Sequence, residues 1–211
     1  MNKYIDHTLL KPEATEAEIS VLCKEAIDYD FKAVCVNPAW ITFCKNQLKA
    51  SDVLVCTVVG FPLGANTTET KVFETKDAIL KGADEIDMVI NIGKLKDQDY
   101  DYVLNDIKAV RAASKDKTLK VIIETALLSD AEIRKVSKLC VEAKADFVKT
   151  STGFSTSGAN IRVVEIIKKT VGDDALIKAA GGVRSQADLK AMIAAGANRI
   201  GTSSGTKLIE K

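Results

Sequence analysis

Two lysines stand where apolar residues belong. Lys149 lies inside FVKTSTG (147–153) and Lys178 inside LIKAAGG (176–182), segments whose β-branched and aliphatic residues read as strands. An ammonium inside a buried strand is costly unless it is paired or neutralised. If these strands are neighbours, about 4.8 Å apart, and both side chains point the same way, the amines come within about 5 Å of each other. At that separation and an effective dielectric of about 20, each charge disfavours the other by roughly 3 kcal/mol. Partial desolvation acts in the same direction. One amine of such a pair becomes nucleophilic near neutral pH and can form a Schiff base with a carbonyl. The protonated imine is an electron sink, so a neighbouring carbon–carbon bond can break or form. Asp87, mid-strand in EIDMVIN (85–91), adds a carboxylate that balances the ammonium charge and relays protons. A buried ion pair is the plain structural alternative, but two lysines and an acid from three strands favour chemistry. Residue types alone do not say which lysine reacts.

Glycine-rich strand ends add a second signal. AAGGV (179–183) and GTSSG (201–205) follow the seventh and eighth strand candidates, and Ser151, Thr152 and Gly153 follow the sixth. Small residues let backbone N–H groups approach an anion, and hydroxyls add donors. Each motif alone marks only a tight turn. Together they make Thr152, Gly153, Gly181, Gly182, Ser203 and Ser204 candidate contacts for a phosphorylated substrate. Asp6, Thr8, Asn91 and Glu124 also sit near strand ends. Cys35, in AVCVN, reads first as core packing, and His7 and Glu124 read as structural.

These residues need a scaffold that brings strand ends together. Eight strand candidates run along the chain: 4–9, 33–37, 53–60, 85–91, 120–126, 147–153, 176–182 and 199–204. Between them lie helix signals. Thr15 with Glu18 and Ser129 with Glu132 form capping boxes ahead of apolar residues at helical spacing, and Ser185 opens a further helix. Gly82-Ala83-Asp84, Lys144-Ala145-Asp146 and Gly196-Ala197-Asn198 are similar helix-to-strand joints, where a left-handed residue is wanted. Eight βα units with polar residues at alternate strand positions predict a closed (β/α)8 TIM barrel of class α/β with an inward polar rim. An open doubly wound sheet would be more uniformly apolar. Only TKLIEK follows Gly205, so the last helix is short or missing.

Composition narrows the class. The 211 residues, 46% hydrophobic and 28% charged, suit one globular barrel domain over 1–211. Thirty basic and 29 acidic residues leave no nucleic-acid or anionic-membrane footprint. Five cysteines without a CxxC pair suggest reduced thiols in the cytoplasm. No apolar run is long enough to span a membrane, and one histidine disfavours a His-rich zinc site. No metal or other cofactor is implied.

FVKTSTG, LIKAAGGVR, EIDMVINIG, VCVNP and RIGTSS, with IDHTLLKP near the start and VVGFPLG at 58–64, resemble the deoxyribose-phosphate aldolases, class I aldolases on a TIM barrel. The resemblance runs from about residue 4 to residue 205. It implies reversible cleavage of 2-deoxy-D-ribose 5-phosphate into acetaldehyde and D-glyceraldehyde 3-phosphate. It also implies Lys149 as the Schiff-base lysine, Lys178 as the partner that perturbs it and assists proton transfer, and Asp87 as proton donor and acceptor. Gly182, Ser203 and Ser204 would hold phosphate, with Gly153 a fainter candidate, and Asp6, Thr8 and Cys35 would line the site. A cytoplasmic homodimer without metal, serving deoxynucleoside breakdown, completes the implication. Some family members carry a tyrosine on a C-terminal tail; here the last tyrosine is Tyr102. Without the resemblance, two other readings stay open. One is a phosphosugar isomerase using acid–base chemistry without an imine. The other is a phosphosugar-binding protein that performs no reaction.

Overall fold

The computed structural model describes residues 1–209. Eight parallel strands close into a barrel in sequence order: β1 (Ile5–Leu9), β2 (Ala33–Val36), β3 (Leu54–Val59), β4 (Glu85–Val89), β5 (Thr118–Ile122), β6 (Phe147–Lys149), β7 (Leu176–Ala180) and β8 (Arg199–Thr202). Closure comes from β1 pairing with β8, Ile5 opposite Ile200. The surrounding helices are α1 (Glu16–Asp28), α2 (Ile41–Leu48), α3 (Thr68–Leu80), α4 (Ile92–Lys96), α5 (Tyr100–Ser114), α6 (Asp130–Glu142), α7 (Ile161–Val171), α8 (Gln186–Ala194) and α9 (Gly205–Leu208). The fold is the TIM barrel expected from the repeated βα pattern. After β8 the described residues hold only the four-residue α9; residues 210 and 211 of the TKLIEK segment lie outside the described ones.

Alternation along each strand separates two environments. One parity of side chains, including Ile5, Val34, Val55, Ile86, Val121, Val148, Ile177 and Ile200, packs against the helices in the main core. A smaller apolar cluster of Leu10, Ala33, Cys35, Cys56 and Val58, with Phe61 against it, fills the β2–β3 side of the lumen. The rest of the lumen is charged. This division explains why polar residues recur within strands that are buried on both faces.

Capping follows the local sequence. Thr15 and Ser129 form the expected capping boxes, and Ser185 forms one with Asp188. Gly82, Lys144 and Gly196 all have positive φ, so Lys144 takes the left-handed conformation usually given to glycine. At each joint the Asp84, Asp146 or Asn198 side chain then accepts the N–H of Val55, Leu119 or Ile177, fixing one strand to the next at the barrel base. Every strand ends at or before its candidate's last residue, and two differ most from the sequence reading. FVKTSTG stops being strand at Lys149, and the fifth strand covers 118–122 instead of 120–126. Glu124 adopts φ 52° and starts a 3-10 turn over Thr125–Leu127, which ends the extended run early.

Candidate active site

Strand register brings the predicted trio together. Lys149 lies opposite Lys178 across β6 and β7. Both donate to Oδ2 of Asp87, at 2.7 and 2.8 Å. The two nitrogens therefore sit on one side of the sheet, no farther apart than those two lengths laid end to end. All three side chains are buried.

The lumen holds more charge than the sequence reading assigned. Lys120 donates to Oδ1 of Asp87 at 2.9 Å and to Oε2 of Glu85 at 2.6 Å. Asp6 contacts Lys178 at 2.5 Å and pairs with Arg199, which also binds Glu85. Four cations thus face three carboxylates. Lys120, Glu85 and Arg199 escaped notice because each is the first residue of its strand candidate in the sequence. The signal was present: Glu85 is two residues before Asp87, so both share a face, and Lys120 is an in-strand lysine like Lys149 and Lys178.

These partners bear on which amine of the pair stays charged. Mutual repulsion does not discharge Lys178. Burial alone would lower its pKa, but Asp6 and Asp87 outweigh burial and raise it. Burial would likewise raise the Asp87 carboxyl, yet Lys120, Lys149 and Lys178 hold it well below the usual carboxylate range. The same balance keeps Lys120 charged, with Asp87 its leading partner against burial. The contacts thus favour an ammonium on Lys178 and an ionised carboxylate on Asp87.

Above this layer opens a cavity of ≈ 410 Å³. Of the two lysines, only Lys149 lines it. Thr8, Thr152, Gly153, Gly181, Gly182, Ser203 and Ser204 line it as well. Asp6, Asp87, Cys35 and Lys178 do not; they lie beneath the floor. Lys11 and Arg184 line the rim, two cations beside the glycine and serine turns that the sequence reading did not single out, although both stand in quoted motifs.

Other candidates fall to structural roles. Glu124 Oε2 accepts the N–H of Thr152 at 3.2 Å and also its hydroxyl, holding the loop after β6. Asn91 caps α4 through the N–H of Lys94, and Ser151 is buried against Thr150. His7 faces outward and meets Glu25 at 2.6 Å. Gly158 was missed. A Cβ there would stand 2.2 Å from the carbonyl oxygen of Gly181, so two loop backbones touch behind the phosphate-type turn. The N–H of Ala159 bonds to the carbonyls of Ala180 and Gly181. Although no metal cluster was legible along the chain, the fold gathers ligand-type atoms of Cys35, Cys56 and Asp87 within 4.8 Å.

A cavity floored by one lysine over a paired acid and ammonium suits carbonyl chemistry, and comparison with known proteins agrees. The family described as DeoC/LacD family aldolase matches over residues 1–211. The chain belongs to the DeoC/LacD aldolase family. Among members of this aldolase family, a deoxyribose-phosphate aldolase of Finegoldia magna is 60% identical over 210 residues, covering 100% of this chain and 99% of that one. A deoxyribose-phosphate aldolase of Streptococcus suis is 60% identical over 209 residues, covering 99% and 95%. The solved deoxyribose-phosphate aldolase of Aeropyrum pernix, described as tetrameric, superposes with TM-score 0.90 at 32% identity, over 98% of this chain and 88% of that one. Membership in the aldolase family favours carbon–carbon lyase chemistry over the isomerase alternative. Among the described residues, no helix is long and apolar enough to cross a membrane.

Proposed function

We propose that residues 1–211 work as one aldolase domain that reversibly cleaves 2-deoxy-D-ribose 5-phosphate to acetaldehyde and D-glyceraldehyde 3-phosphate through a Schiff base on Lys149. The observation that carries the choice of lysine is access: Lys149 lines the cavity and Lys178 lies under its floor. The similarity to deoxyribose-phosphate aldolases supports the choice of substrate.

The Nζ of Lys149 adds to the C1 carbonyl and passes a proton to Asp87, whose Oδ2 is 2.7 Å away. Asp87 is too strong an acid, beside three ammonium groups, to keep that proton. It hands it on to the carbinolamine hydroxyl, which leaves as water. The C3 hydroxyl of the resulting protonated imine then gives its proton to the Asp87 carboxylate, directly or through one water. The C2–C3 electron pair moves into the imine as the bond breaks, and D-glyceraldehyde 3-phosphate departs. The enamine takes a proton at C2, and water releases acetaldehyde from Lys149. Lys178 stays an ammonium and, with Lys120, holds the Asp87 carboxyl acidic. The turns at Gly181, Gly182, Ser203 and Ser204, with Gly153 and Thr152, hold the phosphate; Arg184 and Lys11 supply positive charge. This chemistry uses no metal. Five free cysteines suit a reducing cytoplasm, and the working unit is a homodimer.

Reductive trapping tests the proposal. Acetaldehyde with borohydride is expected to add one ethyl group, mapped by mass spectrometry to Lys149. Full turnover without a trapped adduct, or a label on Lys178 alone, refutes it. Sedimentation of the purified chain reads the dimer.

A further inference from the structure

The proposed reaction uses Asp87 but leaves two lumen thiols without a task. Cys35 and Cys56 lie opposite each other across β2 and β3. The sulfur of Cys56 is 3.2 Å from Oδ1 of Asp87, and one ligand-type atom from each of the three residues falls within 4.8 Å of the others. All three are fully buried. We propose that Cys35, Cys56 and Asp87 form an inhibitory site for a thiophilic divalent cation of the zinc and cadmium class.

The donor set selects that class. Two thiolates and a carboxylate suit a soft or borderline tetrahedral ion and leave its fourth position for water. Metal–sulfur bonds of about 2.3 Å put tetrahedral ligand atoms about 3.5–3.8 Å apart, against 3.2 Å between Cys56 and Asp87 and at most 4.8 Å within the set. Magnesium and calcium, which want six or more oxygens, find one carboxylate here. The surrounding ammonium groups do not forbid the ion. Each thiol loses its proton on binding, and two thiolates cancel a divalent charge, so the net charge of the lumen is unchanged. Lys120 is the group that must yield, since it approaches Cys56 Sγ at 3.4 Å and Asp87 Oδ1 at 2.9 Å. It keeps Glu85 at 2.6 Å. Thr8, which lines the cavity, lies in register with Cys35, so the site adjoins the cavity floor.

Binding stands independently of the aldolase reaction; inhibition rests on it, because the ion draws on the carboxylate that takes the proton from Lys149. Metal-free full-length protein is titrated with Cd²⁺, following the ultraviolet cadmium–thiolate charge-transfer band, with Zn²⁺ as competitor. One ion per chain is expected, with affinity reduced more than about tenfold in Cys56→Ser and in Cys56→Ala. Cys23→Ser, on the helix layer, is expected to leave the band intact. Aldolase activity should fall as the band grows and return with a chelator. A band unchanged in both folded Cys56 variants, or lost in Cys23→Ser, overturns the site. A band that follows Cys56 while activity stays constant overturns the inhibition. Failure of the aldolase reading shows separately, as absent turnover before any cadmium is added.

Discussion

Lys149 and Lys178 donate to the same oxygen of Asp87. The acid is thus shared between a lysine that faces the cavity and a lysine that cannot reach it. That arrangement gives the two amines different tasks despite their identical chemistry. It also makes Asp87 the anion that holds the lumen together, because Lys120 uses its other oxygen.

Asp87→Asn should therefore cost stability as well as turnover. Removing one partner from a buried ionic cluster costs about 3–5 kcal/mol, and here three ammonium groups lose their common anion. Urea denaturation at neutral pH is expected to show a loss of that size, with activity abolished. A variant as stable as the parent would mean that Asp6 and Glu85 alone neutralise the lumen.

A second buried pair, between helices α3 and α5, separates stability from chemistry. Lys71 on α3 meets Asp106 on α5 at 2.6 Å with both side chains fully buried, and Thr68 donates to the same carboxylate. Lys71→Met should destabilise by about 3–5 kcal/mol, whereas Lys71→Met with Asp106→Leu should recover most of the loss. Equal stability of the single and double variants would contradict the assignment of that cost to an unpaired buried charge.

Gly158→Ala addresses the phosphate turn. The added methyl would press on the Gly181 carbonyl, 2.2 Å from the Cβ position, and displace the turn carrying Gly182. The expected result is a KM for the phosphorylated substrate raised by roughly tenfold, about 1.4 kcal/mol. Unphosphorylated 2-deoxyribose should be affected much less. A parallel loss for both substrates would place the damage at Lys149 instead.

The ionic lumen also predicts how stability varies with pH. Asp6 and Asp87 have folded pKa values below the ordinary 3.8. Their contribution is present above that value and is lost as pH falls from it through the folded pKa values. Lys120 and Lys178 have folded values above the ordinary 10.5, so their contribution is present below 10.5 and is lost as pH rises beyond it. Urea midpoints measured across pH should show losses setting in on the acid side of 3.8 and on the alkaline side of 10.5. A steep decline already between pH 7 and pH 5 would assign the pH dependence to other groups.

Much of this protein was legible along the chain, because local physics wrote it there. Capping at Thr15, Ser129 and Ser185, the left-handed joints at Gly82 and Gly196, and the alternation within strands depend on neighbours a few residues away. Alternation in turn identifies the lumen face, so Lys149, Lys178 and Asp87 could be placed on one side before any coordinates. What the order of residues could not supply was distance across the barrel. Asp6 and Lys178 are far apart in the chain and 2.5 Å apart in the fold. That contact reverses the expected effect of crowding on Lys178, because a carboxylate at contact outweighs a like charge beyond it. Likewise, the sequence named both lysines as candidates by residue type. Barrel closure decided which one meets the cavity, since exposure is a property of depth in the lumen and not of the strand that carries the side chain.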